Sequence, residues 1–368
     1  MTPIKLNFST KANTLLALDG KLTIAKIVPI VVFTVRDWQK NQNHFIKHVV
    51  EVFGDTELIV RSSCSEEDLS HSSNAGAFLS VLNVNLTQLK KAVDDVIASY
   101  CTPKLDDQVL VQPMLRDVVR SGVGLSHDPN TCTPYRIITW AEGTNTSAVT
   151  GGLDCRTWQM AAGSIVSPPG EIKGIIHLFD ELLSFFSDRP IDFEFAITQD
   201  EDLEILWLLQ VRPLILSTTP QSIENQTEVL KLVEAKVNSG IKEHPSLLGS
   251  KTIYGVMPDW NPAEIIGIRP KPLALSLYRE LITDSIWAYQ RHNYGYRNLR
   301  SFPLMTNFFG LPYVDVRVSF NSFIPSDLNE ELGDRLIEYY LDRITEFPEL
   351  HDKIEFEIIF SCYTFDVT

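Results

Sequence analysis

Residues 191–214 alternate. Apolar Ile191, Phe193, Phe195 and Ile197 enclose Asp192 and Glu194, so both carboxylates project from one face of a strand. An acid-rich polar break over residues 198–204 follows. Next comes an almost wholly apolar run, residues 205–211, interrupted by Gln210 and closed by Arg212 and Pro213. Gln210 and Arg212 are again two apart. The pattern predicts a β-hairpin carrying Asp192, Glu194, Gln210 and Arg212 on one face. Adjacent carboxylates in an apolar setting repel, and a cation between them relieves the repulsion. Hard oxygen donors suit Mg²⁺, which completes its shell with water and substrate phosphates. An arginine on the neighbouring strand can hold a phosphate as a two-pronged fork. A solvated polar face on an edge hairpin fits the same alternation.

Upstream, residues 11–18 read as a helix with Ser9 or Thr10 as its N-cap. Residues 28–34 (VPIVVFT) read as a buried strand and residues 35–53 as one helix. A short strand over 58–61 delivers Arg61 into a serine-rich loop, residues 62–76, which fits either phosphate holding or an ordinary polar surface. A helix over 89–100 and strands over 108–112, 121–129 (ending in a turn) and 136–140 come next. Glycines at 143 and 151–152 could bring backbone N–H groups to a phosphate, though no GxxxxGK[ST] or GxGxxG is present. Beyond a linker from residue 217, residues 224–237 predict a helix, and after Pro245 aromatics and prolines become frequent. There a helix over 277–296, a strand over 313–318, and an amphipathic helix through Leu328, Leu332, Leu336, Tyr340 and Ile344, capped by Ser326 or Asp327, are expected. An apolar run, residues 354–360, closes the sequence.

Composition narrows the possible partners. The 368 residues suffice for two or three domains, and 44% are hydrophobic, as in a globular chain. Asp and Glu number 47 against 32 Lys and Arg, a formal charge of −15, which argues against nucleic acid or an anionic membrane as main partner. An anionic ligand then needs local positive charge or a metal. Five scattered cysteines without a CxxC indicate neither a disulfide frame nor a zinc site. No signal-peptide pattern or membrane-length apolar run is visible, so a cytoplasmic protein is the default expectation.

Four segments then carry a resemblance. Lys11-Ala12-Asn13 with Leu15, before Val28-Pro29-Ile30, forms the first. Arg61-Ser62-Ser63 with Glu67-Asp68 and Ala75-Gly76 forms the second. Gln112-Pro113-Met114 and Ser121-Gly122-Val123 with Asp128-Pro129 form the third. Asp192-Phe193-Glu194-Phe195-Ala196 and Leu209-Gln210-Val211-Arg212-Pro213 form the last. In order and spacing they resemble the nucleotide-binding domain of the phosphoenolpyruvate synthase and pyruvate phosphate dikinase family. The resemblance implies an α+β chain. An ATP-grasp domain would occupy residues 1–215, in subdomains of about 1–105 and 106–215. A linker and helix over 216–250 would lead to a mixed α/β acceptor-binding domain, 251–368.

The resemblance also implies roles. Lys11 and Arg61 would contact ATP phosphates. Gln112, Met114 and Leu115 would lie along the adenine, the backbone making its hydrogen bonds. Asp192, Glu194 and Gln210 would surround Mg²⁺ and the ribose–phosphate region, and Arg212 would stabilise charge on the transferred phosphates. The family's glycines before the lysine are Ser9 and Thr10 here, and its glutamate-bearing glycine turn is Gly143-Thr144-Asn145-Thr146.

The second half, with PDWNPAEIIG and RPKPLALSLYRELITDSIWAYQ, is similar to capsule-cluster L-glutamine kinases of the family. That implies an ATP-dependent phosphotransferase in phosphoramidate capsule biosynthesis. ATP would phosphorylate a carrier histidine, which passes a phosphoryl group to the amide of L-glutamine, giving AMP, phosphate and L-glutamine phosphate. None of the eight histidines lies in the family's small-residue carrier motif, so a C-terminal phosphohistidine domain of a longer protein is expected as partner. A pyruvate- or antibiotic-directed phosphotransferase and a non-catalytic nucleotide-binding module stay open.

Overall fold

The computed structural model describes residues 5–64, 79–100, 102–143, 155–201, 203–256 and 258–359. The chain divides into two compact units, Met1–Val229 and Leu230–Thr368. Its class is the expected α+β.

The first unit is built on two sheets. The smaller holds β2 (Val31–Thr34), β3 (Leu58–Ser63), β4 (Ser80–Val84) and β5 (Gln108–Pro113), in the order β2-β5-β3-β4 with all pairs antiparallel. Helices Val35–Lys40, Gln42–Phe53 and Leu89–Ala98 contribute Trp38, Val49, Ala92, Val93 and Val96 to one core with Val60 and Val111 of the sheet. The single helix expected over 35–53 is two. Asn41 adopts an extended φ of −157°, and its side chain caps the second helix by accepting from His44 N. The strand expected over 28–34 begins only at Val31, as β2; its last residue, Thr34, pairs with Gln108 and also forms a reciprocal cap with Asp37.

The larger sheet holds β1 (Lys26–Ile27), β6 (Val118–Leu125), β7 (Tyr135–Glu142), β8 (Arg156–Ala161), β9 (Ile191–Asp200) and β10 (Leu203–Pro213). Its order is β1-β10-β9-β6-β7-β8, antiparallel except for the β1–β10 pair. Ile191, Phe193, Phe195 and Ile197 point to the core side, where they share a cluster with Ile175, Leu178, Phe179 and Leu182 of helix Lys173–Phe185. Gly124 permits this packing. A Cβ there would lie 2.5 Å from the Phe193 ring and 2.9 Å from that of Phe179. The polar break expected over 198–204 shrinks to the turn, with Glu201 at φ 51°. Thr198 pairs with Ile205 and Glu204 with Gln199, and Trp207 Nε1 donates to Thr198 Oγ1 at 2.8 Å.

The second unit carries a three-stranded sheet of β11 (Tyr254–Gly255), β12 (Met305–Phe308) and β13 (Leu311–Asp315), ordered β11-β13-β12. The strand expected over 313–318 stops at Asp315, whose carboxylate accepts from Val318 N and caps helix Val316–Asn321. All six residues of that helix are buried, and apolar Val316, Val318 and Phe320 alternate with polar Arg317, Ser319 and Asn321, which is the period of a strand. The helix expected over 277–296 is three pieces: Pro272–Tyr278, a π turn Arg279–Thr283, and Ile286–Asn293. The amphipathic helix spans Glu330–Glu346 and is capped by Asn329, one turn later than expected. No helix among the described residues is long and apolar enough to cross a membrane.

Candidate nucleotide site

The site begins with one irregularity in a ladder. The β9–β10 register shifts between Leu208 and Gln210, so Leu208 faces Phe195 while Gln210 faces Glu194 and Arg212 faces Asp192. The bulge takes Leu209 out of the ladder and turns its carbonyl toward the smaller sheet. Arg61, on β3, spans the gap between the two sheets. Its Nη1 donates to Leu209 O at 3.3 Å, and its Nη2 donates to Glu194 Oε2 at 3.2 Å and Gln210 Oε1 at 3.3 Å. Arg212 Nε donates to Asp192 Oδ1 at 2.6 Å.

A cavity of about 340 Å³ lies beside these residues. Arg61, Gln112, Met114, Leu115 and Glu194 line it, together with Val28, Ser121 and Gly122. Asp192, Gln210, Arg212 and Lys11 are not among its lining. Gln210 joins it through Arg61, and Lys11 lies close enough to act on the charge of Glu194. Lys11 is buried at the start of its helix, where Ala12 N donates to Ser63 Oγ at 2.9 Å and ties this helix to the end of β3. Both sheets of the first unit supply the walls of the cavity. The predicted partners at residues 65–76 and 144–152, among them Glu67, Asp68, Ala75 and Gly76, lie outside the described residues.

The electrostatics differ between the two carboxylates. Burial acts to raise the Glu194 carboxyl, but Arg61, then Lys11 and Arg212, outweigh it and hold the group below its ordinary value. Its side chain keeps 41% exposure, opening onto the cavity. Asp192 goes the other way. Burial, only partly offset by Arg212, pushes its carboxyl above the ordinary value. The charge on Asp192 is thus under-compensated, the condition in which a further cation is favoured. Two carboxylates two residues apart, with an amide oxygen facing one of them, form a hard donor set that fits Mg²⁺. Among the described residues no group of three His, Cys, Asp or Glu gathers, so nucleotide phosphate or water would have to complete the shell.

Two buried polar atoms of residues lining the cavity, Arg61 Nε and Ser121 Oγ, have no hydrogen-bond partner among the described residues. An unmatched buried donor costs roughly 1–3 kcal/mol. The adenine segment is less open than its sequence suggested. Gln112 Nε2 donates to Val28 O, and Met114 N donates to Glu57 O at 2.8 Å, so neither group is spare for a base edge. The cavity residues missed in the sequence, Ser80 and Leu82, sit on β4 opposite and beyond Arg61. Their period-two spacing was the available signal.

Residues 33–105 match a family model described as pyruvate phosphate dikinase, AMP/ATP-binding domain. No curated protein matches the chain. Among solved structures, the Helicobacter pylori D-alanine–D-alanine ligase aligns at 14% identity over 60% of this chain and 59% of that one, with a TM-score of 0.32. The dinucleotide-forming acetyl-coenzyme A synthetase 1 of Ca. Korarchaeum cryptofilum aligns at 8% identity over 56% and 93%, with a TM-score of 0.36. The chain spans just under three fifths of the length of the H. pylori ligase. The family likeness is thus carried by residues 33–105, and it is a likeness to the AMP/ATP-binding domain of pyruvate phosphate dikinase.

Proposed function

We propose that the first unit binds Mg-ATP as the nucleotide-binding part of a phosphotransferase. The observation that carries this reading is Arg61. It belongs to the RSS segment, lines a nucleotide-sized cavity, and reaches Glu194, Gln210 and Leu209 of a hairpin about 130–150 residues later. In this reading Arg61, Arg212 and Lys11 hold the phosphates, and residues 112–115 flank the base. Asp192, Glu194 and Gln210 hold Mg²⁺, which would neutralise charge on the phosphates. Phosphoryl transfer depends on positioning and charge neutralisation, which this residue set supplies without a covalent step of its own.

The finer reading is an L-glutamine kinase whose carrier histidine lies in a separate domain. It rests on the sequence resemblance of the second unit and on the lack of a small-residue histidine motif. Isothermal titration of the chain with ATP, with and without Mg²⁺, tests the nucleotide site. Mg-dependent binding that Arg61→Ala abolishes is expected, and binding unchanged by that substitution would sink the assignment. Phosphorus NMR of products with L-glutamine, with and without an added carrier domain, tests the acceptor. L-glutamine phosphate should form only when the carrier is present.

A further inference from the structure

Each oxygen donor proposed for the metal is held by an arginine proposed for the phosphates. Arg212 and Asp192 face each other across the β9–β10 pair, and Arg212 Nε donates to Asp192 Oδ1 at 2.6 Å. Arg61 reaches the same hairpin from β3. Its Nη2 donates to Glu194 Oε2 at 3.2 Å and to Gln210 Oε1 at 3.3 Å. The side chains of Arg212, Asp192 and Arg61 are 20%, 17% and 11% exposed, so salt and water screen these contacts less than they screen surface pairs.

The charges do not balance. Among the described residues, Arg61, Lys11 and Arg212 act on the two carboxylates, three positive charges against two negative. Asp192 by itself favours a cation, but the cluster as a whole opposes one. A free divalent cation would enter beside fixed like charges that already hold its donors, and such charges repel strongly where water is scarce. A polyphosphate reverses the balance, because it offers the guanidiniums acceptors that match their paired N–H donors. Arg212 cannot keep Nε on Asp192 and give the same N–H to phosphate, so its turn toward phosphate releases Oδ1. Metal and polyphosphate would then favour each other's binding through the same two side chains, and such a coupling is reciprocal.

We propose that Arg61 and Arg212 are resident counter-ions that keep free divalent cation out of the hairpin, so that the site takes metal only together with a polyphosphate. The inference rests on the Mg-ATP reading of the first unit and adds to it a rule of admission.

The test titrates the whole chain with Mn²⁺, a hard cation that takes the same oxygen donors as Mg²⁺, at about pH 8, where carboxylates are ionised. Electron paramagnetic resonance reads the free metal. An acidic chain of formal charge −15 also binds divalent cations elsewhere, so each affinity is read as the difference from the same chain carrying Asp192→Asn. The wild-type hairpin should bind Mn²⁺ alone weakly and Mn-ATP tightly. Arg212→Gln should move the two in opposite directions, tightening Mn²⁺ alone and weakening Mn-ATP, each at least about tenfold. Arg212→Lys keeps the charge and loses the fork, so it should weaken Mn-ATP while Mn²⁺ alone stays as weak as in the wild type. A role confined to holding strands together would not produce this split. Arg61→Gln should repeat the opposed shifts, which keeps the test valid should Arg212→Gln fold poorly. Mn²⁺ affinity unchanged or lowered in the folded Gln variants would overturn the inference, and so would tight binding of Mn²⁺ alone to the wild-type hairpin. If Mn-ATP still binds the wild type in either case, the nucleotide assignment stands and only the rule of admission falls. Absence of Mn-ATP binding to the wild type would remove both.

Discussion

Each unit buries an arginine against an acid, and the two clusters are finished differently. In the second unit Asp259 is enclosed. Its Oδ1 accepts from Arg291 Nη2 at 3.1 Å, its Oδ2 accepts from Ser319 Oγ at 3.0 Å, and the Arg291 guanidinium lies 4.1 Å from the Phe323 ring centroid. In the first unit Arg61 and Glu194 meet at the wall of a cavity. Arg61 and Arg291 each leave a buried Nε without a hydrogen-bond partner among the described residues, so unmatched donors do not separate the two clusters. A buried ion pair is therefore no sign of a ligand site in itself. What distinguishes the candidate nucleotide site is the cavity, onto which the Glu194 side chain, 41% exposed, opens. The closed pair holds strands and helices in place. The open one leaves charge available for chemistry.

The contrast breaks first at Asp259. Asp259→Ala leaves Arg291 charged and largely buried, at 19% side-chain exposure, and should cost about 3–5 kcal/mol of stability. Chemical denaturation measures that loss. Mg-ATP affinity of the first unit should hardly change, and a parallel loss of affinity would mean that the enclosed cluster is part of the nucleotide machinery.

Arg212→Ala adds a functional loss to a structural one. It should cost about 2–4 kcal/mol of transition-state stabilisation in any phosphoryl transfer the holoprotein performs, and it should also lower the thermal midpoint, because it leaves Asp192, at 17% side-chain exposure, without this guanidinium. Arg212→Lys should rescue little, because a point charge cannot both donate through Nε to Asp192 and present a fork to phosphate. Steady-state kinetics with lysine restoring full rate would reduce the contact to a simple ion pair.

How much of this was legible in the sequence follows from the physics of each element. The hairpin was legible because alternation and a buried face specify each other: Phe193 and Phe195 had to pack, so Asp192 and Glu194 had to face away. The pairing of Asp192 with Arg212 was not, since it depends on the bulge at Leu209, and nothing in the apolar run LWLLQV marks where a ladder slips. Helix Val316–Asn321 was misread because VRVSFN alternates apolar and polar residues, the period of a strand, while burial of all six leaves no solvent face to mark a helix. Gly124 read only as part of a turn-prone stretch, whereas its role is to admit two rings. A cavity of the second unit, with Lys236, Tyr254, Arg279, Met305 and Asp315 in its lining, draws on five segments with no local spacing, so no motif could announce it.

A third kind of buried titratable group sharpens the comparison through pH. His127 is buried beside Ser126, whose Oγ lies 3.0 Å from its Nδ1. Burial, and then the nearby Arg136, lower its pKa from 6.5 to about 4. The folded value lies below the unfolded one, so between pH 4 and 6.5 the unfolded chain binds more protons. Its contribution is complete above pH 6.5 and is lost as pH falls toward 4, on the order of 1–3 kcal/mol. His127→Gln should flatten that part of the stability–pH curve, and an unchanged slope in the variant would show that another group titrates there.

The smallest effect belongs to an ion pair that is neither enclosed nor aimed into a cavity. Lys251 Nζ meets Asp342 Oδ1 at 3.0 Å, with side-chain exposures of 46% and 70%. Water screens both charges, and two long side chains lose rotamer freedom to keep the contact, so the attraction and its entropic cost nearly cancel. Asp342→Asn should change stability by less than about 1 kcal/mol, and adding salt should shrink even that. The Asp259 pair, at the same distance within 0.1 Å, should resist salt because its side chains are only 19% and 4% exposed. Denaturation of both variants at low and high ionic strength makes the comparison direct. Equal salt sensitivity would show that separation, rather than burial, sets the strength of these pairs, and the distinction between the closed and open clusters would then lose its physical basis.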